Sequence, residues 1–288
     1  MSIRSREGRP DHVHTVDPVC FTARTPRVVR ARRLHRRRER DATGRFLAEG
    51  PQAVREALAV PGVVRELFGT PAGLERHADL VEAAAAAGVR VSRLTDEALA
   101  TLAETVTPQG VIAVCEQRDV PLEQVLRDPP RLIAVLVEVR DPGNAGTVLR
   151  TADAAGAGAV VFGGEAVDPY NGKCVRASAG SLFHVDVVRA PDVAAAVTAL
   201  RAAGLAVFAA TGHGETDLDD LVDAGGLSRP TAWLFGSEAH GLPAELAAAA
   251  DARVRVPLHG RAESLNLAAA AAVCLYASAR ALRGRRSS

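Results

Sequence analysis

From Leu132 onward, short apolar runs alternate with segments of helical periodicity, and this alternation restricts the chain to few folds. The run Leu132–Val137 (LIAVLV) is continuous and apolar, which is typical of a strand covered on both faces. Further strands are predicted at 159–162, 183–188, 206–209 and 232–235. The repeated order of strand, helix and strand predicts an α/β fold with a mainly parallel sheet and helices on both faces.

A smaller α/β unit is predicted upstream, between residues 26 and 116. It opens with one basic helix, and a second helix ends before Pro61. Strands are predicted at 46–48, 63–68, 89–92 and 110–115, with helices at 74–87 and 96–102. This regular alternation predicts a separate folded domain.

Two stretches lack such periodicity. Residues 1–25 are polar, so we expect a disordered extension there. Residues 117–131 carry charges and two adjacent prolines, which predicts a linker. The second domain is therefore expected to span 132–288.

Positive charge is concentrated near the start of the first unit. The formal net charge is only +1, yet residues 24–40 contain nine arginines and one glutamate. Such a block indicates a polyanionic partner, with nucleic acid first, although a solvated helix face is the alternative. The arginines expected to bind RNA are Arg30, Arg32, Arg33, Arg36 and Arg37. Aromatic residues make up 3% of the chain, which favours recognition of a folded RNA by its shape.

Cysteine usage and hydropathy exclude several classes of protein. The four cysteines are scattered, without a CxxC pair, which predicts reduced thiols and neither disulfides nor a metal site. No apolar run approaches the length of a membrane span, and no signal-like segment opens the chain. We therefore expect a cytoplasmic protein with no membrane partner.

Three loops of the second unit each follow a predicted strand and enter a helix, so they are expected to meet at one sheet edge. The first, at 138–150 (EVRDPGNAGTVLR), carries Asn144 as a predicted helix cap and Arg150 within the helix. A guanidinium fork there suits a phosphate, although a surface or salt-bridging arginine is the alternative.

The other two loops add a carboxylate and two further polar side chains. The loop 235–242 (FGSEAHGL) places Glu238 between glycines, which predicts close approach of the backbone to a ligand. The third loop lies within 254–272, where Ser264 is the predicted N-cap of the last helix and Asn266 lies in its first turn.

The ordered set of motifs DPGNAGTVLRTA, LFGSEAHGL and VRVPLHGRAESLNLAAAAAV resembles the SpoU (TrmH-like) branch of the SPOUT RNA methyltransferases. Members transfer a methyl group from S-adenosyl-L-methionine (AdoMet) to a ribose 2′-hydroxyl. The first unit, with FLAEGPQAVREAL and VTPQGVIAV, looks like an RNA substrate-binding domain that resembles a ribosomal protein. The resemblance implies a deep C-terminal trefoil knot and a homodimer.

The resemblance also assigns roles by position. The residues it implies as catalytic are Asn144, Arg150, Glu238, Ser264 and Asn266. Those it implies as cofactor-binding, through main-chain groups, are Gly236, Gly241, Val256, Leu258 and Leu265. Since arginine effectively stays protonated, stabilisation of phosphate and alkoxide is favoured over a role as base. No metal is required, because the cofactor supplies the electrophile.

Several functions stay open at this point. The separate first domain favours 23S rRNA over tRNA as the substrate. A catalytically inactive RNA-binding protein is a second alternative, against which the five intact polar residues argue. A dinucleotide-binding oxidoreductase is disfavoured because no GxGxxG follows Leu132–Val137.

Overall fold

The computed structural model describes residues 19–283, and the disordered extension expected over 1–25 falls mostly outside this range. Within that stretch, Phe21 forms a β-bridge with Leu94, and its main-chain N–H donates to the carbonyl of Arg93 at 2.8 Å. The folded chain therefore starts ahead of Pro26, where the first domain was predicted to begin.

The first unit is a four-stranded sheet in the order β1-β4-β2-β3, with only β2 and β3 parallel. Its strands are β1 (Arg45–Glu49), β2 (Val64–Gly69), β3 (Arg90–Arg93) and β4 (Val111–Glu116). Its helices are α1 (Pro26–Arg33), α2 (Arg37–Thr43), α3 (Pro51–Ala59), α4 (Pro71–Arg76), α5 (Ala78–Ala86) and α6 (Asp96–Leu102). Every predicted strand of this unit is present to within two residues at each end.

The basic segment was expected as one helix, and this is wrong, because α1 ends at Arg33 and α2 begins at Arg37. The buried guanidinium of Arg40 donates to the carbonyls of Leu34 and His35, at 2.9 and 2.8 Å. Carbonyls at a helix end need such partners, so Arg40 stabilises the break. The helix predicted at 74–87 is likewise divided, at His77.

The second unit is a seven-stranded sheet in which every neighbouring pair is parallel, in the order β7-β6-β5-β10-β8-β11-β9. Its strands are β5 (Leu132–Val137), β6 (Ala159–Gly163), β7 (Asp186–Ala190), β8 (Ala206–Ala210), β9 (Thr216–Asp217), β10 (Thr231–Phe235) and β11 (Ala252–Arg255). Its helices are α7 (Leu122–Val125), α8 (Pro142–Ala155), α9 (Gly172–Ala177), α10 (Val193–Ala202), α11 (Leu218–Asp223), α12 (Ala244–Ala249) and α13 (Leu267–Arg283). The predicted parallel α/β fold is confirmed.

Helices cover both faces of this sheet, and apolar side chains fill the space between them and the strands. All six residues of β5 are buried, as expected for a strand covered on both sides. On one face, Trp233 of β10 packs under α13, and its indole N–H donates to Ser278 at 2.8 Å. On the other face, Leu200 of α10 packs in the core with Leu122 and Val125 of α7.

The segment 117–131 is part of the second unit, since α7 packs into its core and Val120 N–H donates to Val187 O at 2.9 Å. The prediction of a linker took its charges and prolines as signs of an exposed chain. Its apolar residues Leu122 and Val125 instead share one face of a short helix, so the segment packs into the core of the second unit.

A buried ion pair joins the two units. Arg40 and Asp168 are each 3% exposed, and Nη2 of Arg40 lies 2.7 Å from Oδ2 of Asp168. The other carboxylate oxygen of Asp168 accepts from Arg189 at 3.3 Å and from the main-chain N–H of Tyr170 at 3.0 Å. Arg40 therefore holds the domains together, although it belongs to the basic block.

His184 forms a second, exposed link between the units. Nδ1 of His184 lies 2.8 Å from Oδ2 of Asp153, in α8, and Nε2 lies 3.1 Å from Oε2 of Glu56, in α3. Hydrogen bonding to Asp153, and then to Glu56, raises the pKa of His184 above its ordinary value. The two carboxylates thereby favour the charged imidazolium at the interface.

Replacing His184 with glutamine is expected to lower stability at pH 6 but not at pH 9. Because the folded-state pKa is raised, the charge pairing contributes fully below the unfolded value of about 6.5 and is lost as pH rises through the folded-state pKa. The ring is partly exposed, so the loss at pH 6 is about 0.5 kcal/mol. Urea denaturation of the wild type and the variant at pH 6 and pH 9 measures the loss in free energy of unfolding. Equal losses at both pH values would contradict the pairing.

No helix among residues 19–283 is long and apolar enough to cross a membrane. Across the same residues, no three His, Cys, Asp or Glu side chains are grouped as metal ligands. The four cysteines are free thiols, and only Cys20 is exposed.

Candidate active site

The three predicted loops meet at the carboxyl edge of the second sheet. Asn144, at the start of α8, donates from Nδ2 to Oε1 of Glu238 at 2.6 Å. Asn266, just before α13, donates from Nδ2 to Oδ1 of Asn144 at 3.2 Å. One side chain from each motif therefore enters a single hydrogen-bond chain, as the common sheet edge predicts.

The N-cap of α8 is Asp141, and the prediction that Asn144 caps this helix is wrong. The carboxylate of Asp141 accepts from the N–H of Gly143 at 2.6 Å and pairs with Lys173 at 3.0 Å. Lys173 first, and then the Gly143 amide, lower the pKa of Asp141. Because Asp141 satisfies the helix end, the amide of Asn144 is free to bridge the other two loops.

The N-cap of the last helix was also predicted incorrectly. α13 begins at Leu267, and Oδ1 of Asn266 accepts from the N–H of Ala268 at 2.9 Å. Ser264 lies outside the helix and is exposed. Asn266 competes successfully for the cap because one amide can accept from the helix and donate to Asn144 at once.

Arg150 and Ser264 are not part of the hydrogen-bond chain. Arg150 is exposed on α8, and its side chain forms no hydrogen bond or ion pair with any residue between 19 and 283. Ser264 likewise has no side-chain partner in that range. Both side chains are therefore accessible to a ligand, and the simple alternative of a salt-bridging Arg150 does not hold for the described residues.

A cavity of about 460 Å³ opens beside the third loop. Three of the predicted cofactor-binding residues line it, namely Val256, Leu258 and Leu265. Leu218 and Asp219 of α11 also line it and were not predicted, because six residues are too few to distinguish a helix from a loop by periodicity. Two signals were available: Leu218, Leu221 and Val222 have the spacing of one helix face, and Asp217 caps α11 by accepting from the N–H of Asp219 at 3.0 Å.

Gly236 and Gly241 do not line this cavity. They close the second loop on itself, since Ser237 N–H donates to Gly241 O at 3.1 Å and Gly241 N–H donates to Ser237 O at 2.8 Å. A side chain on Gly236 would overlap the backbone of Gly241. The close approach that these glycines permit is between two parts of the loop.

The predicted RNA-binding arginines lie on the surface of the first unit. Each one is exposed: Arg30, Arg32, Arg33, Arg36 and Arg37. Among them, only Arg37 has an ion partner within residues 19–283, with Asp41 at 3.5 Å.

Comparisons with known proteins agree with this arrangement of motifs. The model of the SpoU rRNA methylase family matches residues 131–276, and that of an MRM3-like substrate-binding domain matches residues 25–113. RlmP of Bacillus subtilis, a 23S rRNA (guanosine(2553)-2'-O)-methyltransferase, is 35% identical over 255 residues, which cover 88% of this chain and 96% of that protein. This chain belongs to the SpoU rRNA methylase family.

Two solved structures superpose on most of this chain. An AdoMet-bound rRNA methyltransferase from Sinorhizobium meliloti superposes with a TM-score of 0.79 at 35% identity, over 90% of this chain and 95% of that one. The SpoU methyltransferase AviRb from Streptomyces viridochromogenes, solved with AdoMet, superposes with a TM-score of 0.75 at 31% identity. The match covers 92% of this chain and 99% of that one. Membership of the SpoU family confirms the resemblance and removes the oxidoreductase alternative.

Proposed function

We propose that this protein transfers a methyl group from AdoMet to a ribose 2′-hydroxyl of 23S rRNA. The observation that carries the proposal is the hydrogen-bond chain Glu238–Asn144–Asn266, which holds three family motifs together beside a cavity. The names of relatives such as RlmP support rRNA as the substrate class. The retained polar residues disfavour an inactive RNA-binding protein.

The cavity beside the third loop fits AdoMet in size and lining. Its volume of about 460 Å³ lies in the range of small-molecule sites, and its wall is mainly apolar. Val256, Leu258 and Leu265 would hold the adenosine part, and Asp219 adds a carboxylate for a cationic or hydroxyl group. When bound, AdoMet supplies an activated methyl group on its sulfonium.

Arg150 would act on the RNA. A ribose hydroxyl is a weak acid, and a guanidinium that stays charged is a poor base. It is well suited to orient the adjacent phosphate and to stabilise the forming alkoxide. Asn144 is positioned by hydrogen bonds to Glu238 and Asn266, so it can orient the ribose. Ser264, exposed on the loop, would contribute a further hydrogen bond.

A trefoil knot is the proposed topology of the C-terminal part. The connection 211–215 crosses one face of β11, which lies between β8 and β9. A Cβ on Gly214 would lie 2.6 Å from the carbonyl oxygen of Arg253, so the crossing is tight. The guanidinium of Arg255 also donates to Gly214 O at 2.9 Å. These contacts support threading of β11 beneath the connection.

We also propose a homodimer formed through α13. Val273 and Tyr276 on this helix are 42% and 53% exposed, and Leu258 and Leu265 are exposed on the preceding loop. Exposed apolar side chains grouped in this way are typical of an interface. A second copy of the chain would bury Val273 and Tyr276 beside the cavity that Leu258 and Leu265 line.

Replacing Tyr276 with glutamate is expected to weaken the dimer at least about tenfold, because it places a charge at the centre of an apolar contact. Sedimentation velocity over a range of protein concentrations measures this. Arg127→Ala, an exposed position just after α7 on the opposite face of the sheet, is the control. A dimer of unchanged affinity in Y276E would exclude this surface.

Methyl transfer from labelled AdoMet to total rRNA and total tRNA, purified from cells lacking the protein, tests the function. Resistance of the modified linkage to alkaline cleavage would map the site. Label at one 2′-O position in 23S rRNA is the expected result. Label in tRNA alone would overturn the substrate, and failure to bind AdoMet would overturn the reaction.

A further inference from the structure

A second cavity, of about 340 Å³, lies between α1 and the first sheet. Its charged lining is mainly cationic: Arg27, Arg30, Arg33, Arg45 and Arg90, with Glu39 and Glu66. Its floor is apolar: Ala31, Leu34, Phe68 and Val114. A cavity of this size is suited to one small ligand, and none of its lining residues belongs to the three methyltransferase motifs.

Two of the lining arginines are engaged by the protein. Arg27 lies 3.6 Å from Glu66 and 5.6 Å from the ring centroid of Phe21. Arg45 donates to Glu116 at 3.0 Å. These contacts hold the two guanidinium groups in place at the rim.

The other three lining arginines are exposed, and they form no ion pair with any residue from 19 to 283: Arg30, Arg33 and Arg90. Arg30 and Arg33 project from α1, whereas Arg90 comes from the edge strand β3. Guanidinium groups that converge from two elements without carboxylate partners are typical of a phosphate site.

We propose that this cavity holds a single unpaired nucleotide of the RNA substrate, and the proposal rests on the proposed function for its choice of RNA. Arg30, Arg33 and Arg90 would bind the phosphate, and the base would lie toward the apolar floor. A base within a duplex is stacked and paired, so it cannot enter, whereas a bulged nucleotide can. Guanidinium planes can also stack on a base, which suits a chain with few aromatics.

The arginines of the basic surface form two groups, those that line the cavity and those that do not. Arg32, Arg36 and Arg37 do not line it, so they would contact the backbone of any RNA nearby. Arg30 and Arg33 would add selection for an extruded nucleotide. Arg90 lies far from the basic block in sequence, and only the fold, which pairs β3 with β2 and packs α1 over Phe68 of β2, brings it to the same opening.

The test compares the binding of paired and bulged RNA hairpins to the full-length protein by fluorescence anisotropy. One labelled hairpin is fully paired, and four others each carry a single bulged A, C, G or U. We expect at least one bulged hairpin to bind about tenfold more tightly than the paired one. Arg90→Ala should remove that preference, and Arg33→Ala, on α1, should do the same. Arg32→Ala is the matched control and should weaken all five hairpins equally.

Equal binding of paired and bulged hairpins by the wild type would overturn the proposal. So would a preference that survives in both Arg90→Ala and Arg33→Ala. The readout is independent of methyl transfer. A retained bulge preference without methylation of any rRNA would reject the proposed function alone, whereas methylation without the preference would reject only the nucleotide cavity.

Discussion

Replacing Arg150 with alanine is expected to reduce the rate of methyl transfer by at least about 100-fold, the usual loss when one group that stabilises developing charge is removed. The side chain is exposed and without a protein partner among residues 19–283, so the folded structure does not depend on it. Single-turnover assays with labelled AdoMet and 23S rRNA measure the rate. The melting temperature and AdoMet affinity of the variant should equal those of the wild type.

The control is Arg229→Ala. Arg229 is also exposed, but it precedes β10 at the opposite edge of the sheet from the motifs. Its loss should leave the rate unchanged. Arg150→Lys keeps the charge and loses the planar fork, so an intermediate rate is expected if the arginine binds phosphate at two points. Wild-type turnover by Arg150→Ala would remove Arg150 from the mechanism.

Replacing Asp168 with alanine is expected to lower the free energy of unfolding by about 3–5 kcal/mol. The change leaves the guanidinium of Arg40 buried without its carboxylate, and Arg189 and the Tyr170 amide lose an acceptor as well. Urea denaturation followed by the fluorescence of Trp233 reports on the second unit, since this residue is the only tryptophan and is fully buried in β10.

Asp186→Ala is the matched control, because Asp186 is exposed at the start of β7. It should change stability by less than about 0.5 kcal/mol. Adding Arg40→Met to Asp168→Ala should recover part of the loss, because it removes the unpaired charge. A loss below about 1 kcal/mol in Asp168→Ala would show that the pair does not stabilise the joined domains.

Most helices and strands could be predicted from the local pattern of apolar and polar residues. β5 occupies the predicted residues 132–137, and α6 occupies 96–102, because burial and helical periodicity are visible in neighbouring residues. The strand predicted at 183–188 begins only at Asp186, after a 3-10 turn that satisfies local hydrogen bonds. α9 and α11 were not predicted, since each has only six residues, too short a window to distinguish a helix from a loop by periodicity.

In the candidate site, too, some features could be predicted from the sequence and others could not. The meeting of Asn144, Glu238 and Asn266 could be predicted from the sequence, because three motifs in a fixed order each follow a strand of one parallel sheet, whereas their catalytic roles stay predictions. The partners of those residues could not, since hydrogen bonds such as Asn266 to Asn144 join positions 122 residues apart. The cap assignments failed for this reason: Asn266 gains a long-range partner that Ser264 lacks, and Asp141 leaves Asn144 free.

The sequence by itself determined the α/β class, the two units and the identity of the residues at the sheet edge. These follow from local periodicity and from motifs, which need no knowledge of distant contacts. Tertiary structure decided which arginines hold the protein together and which line the cavity of the first unit, as Arg40 and Arg90 show. Burial and ion pairing depend on what packs opposite a side chain, and neighbours in the chain do not specify that.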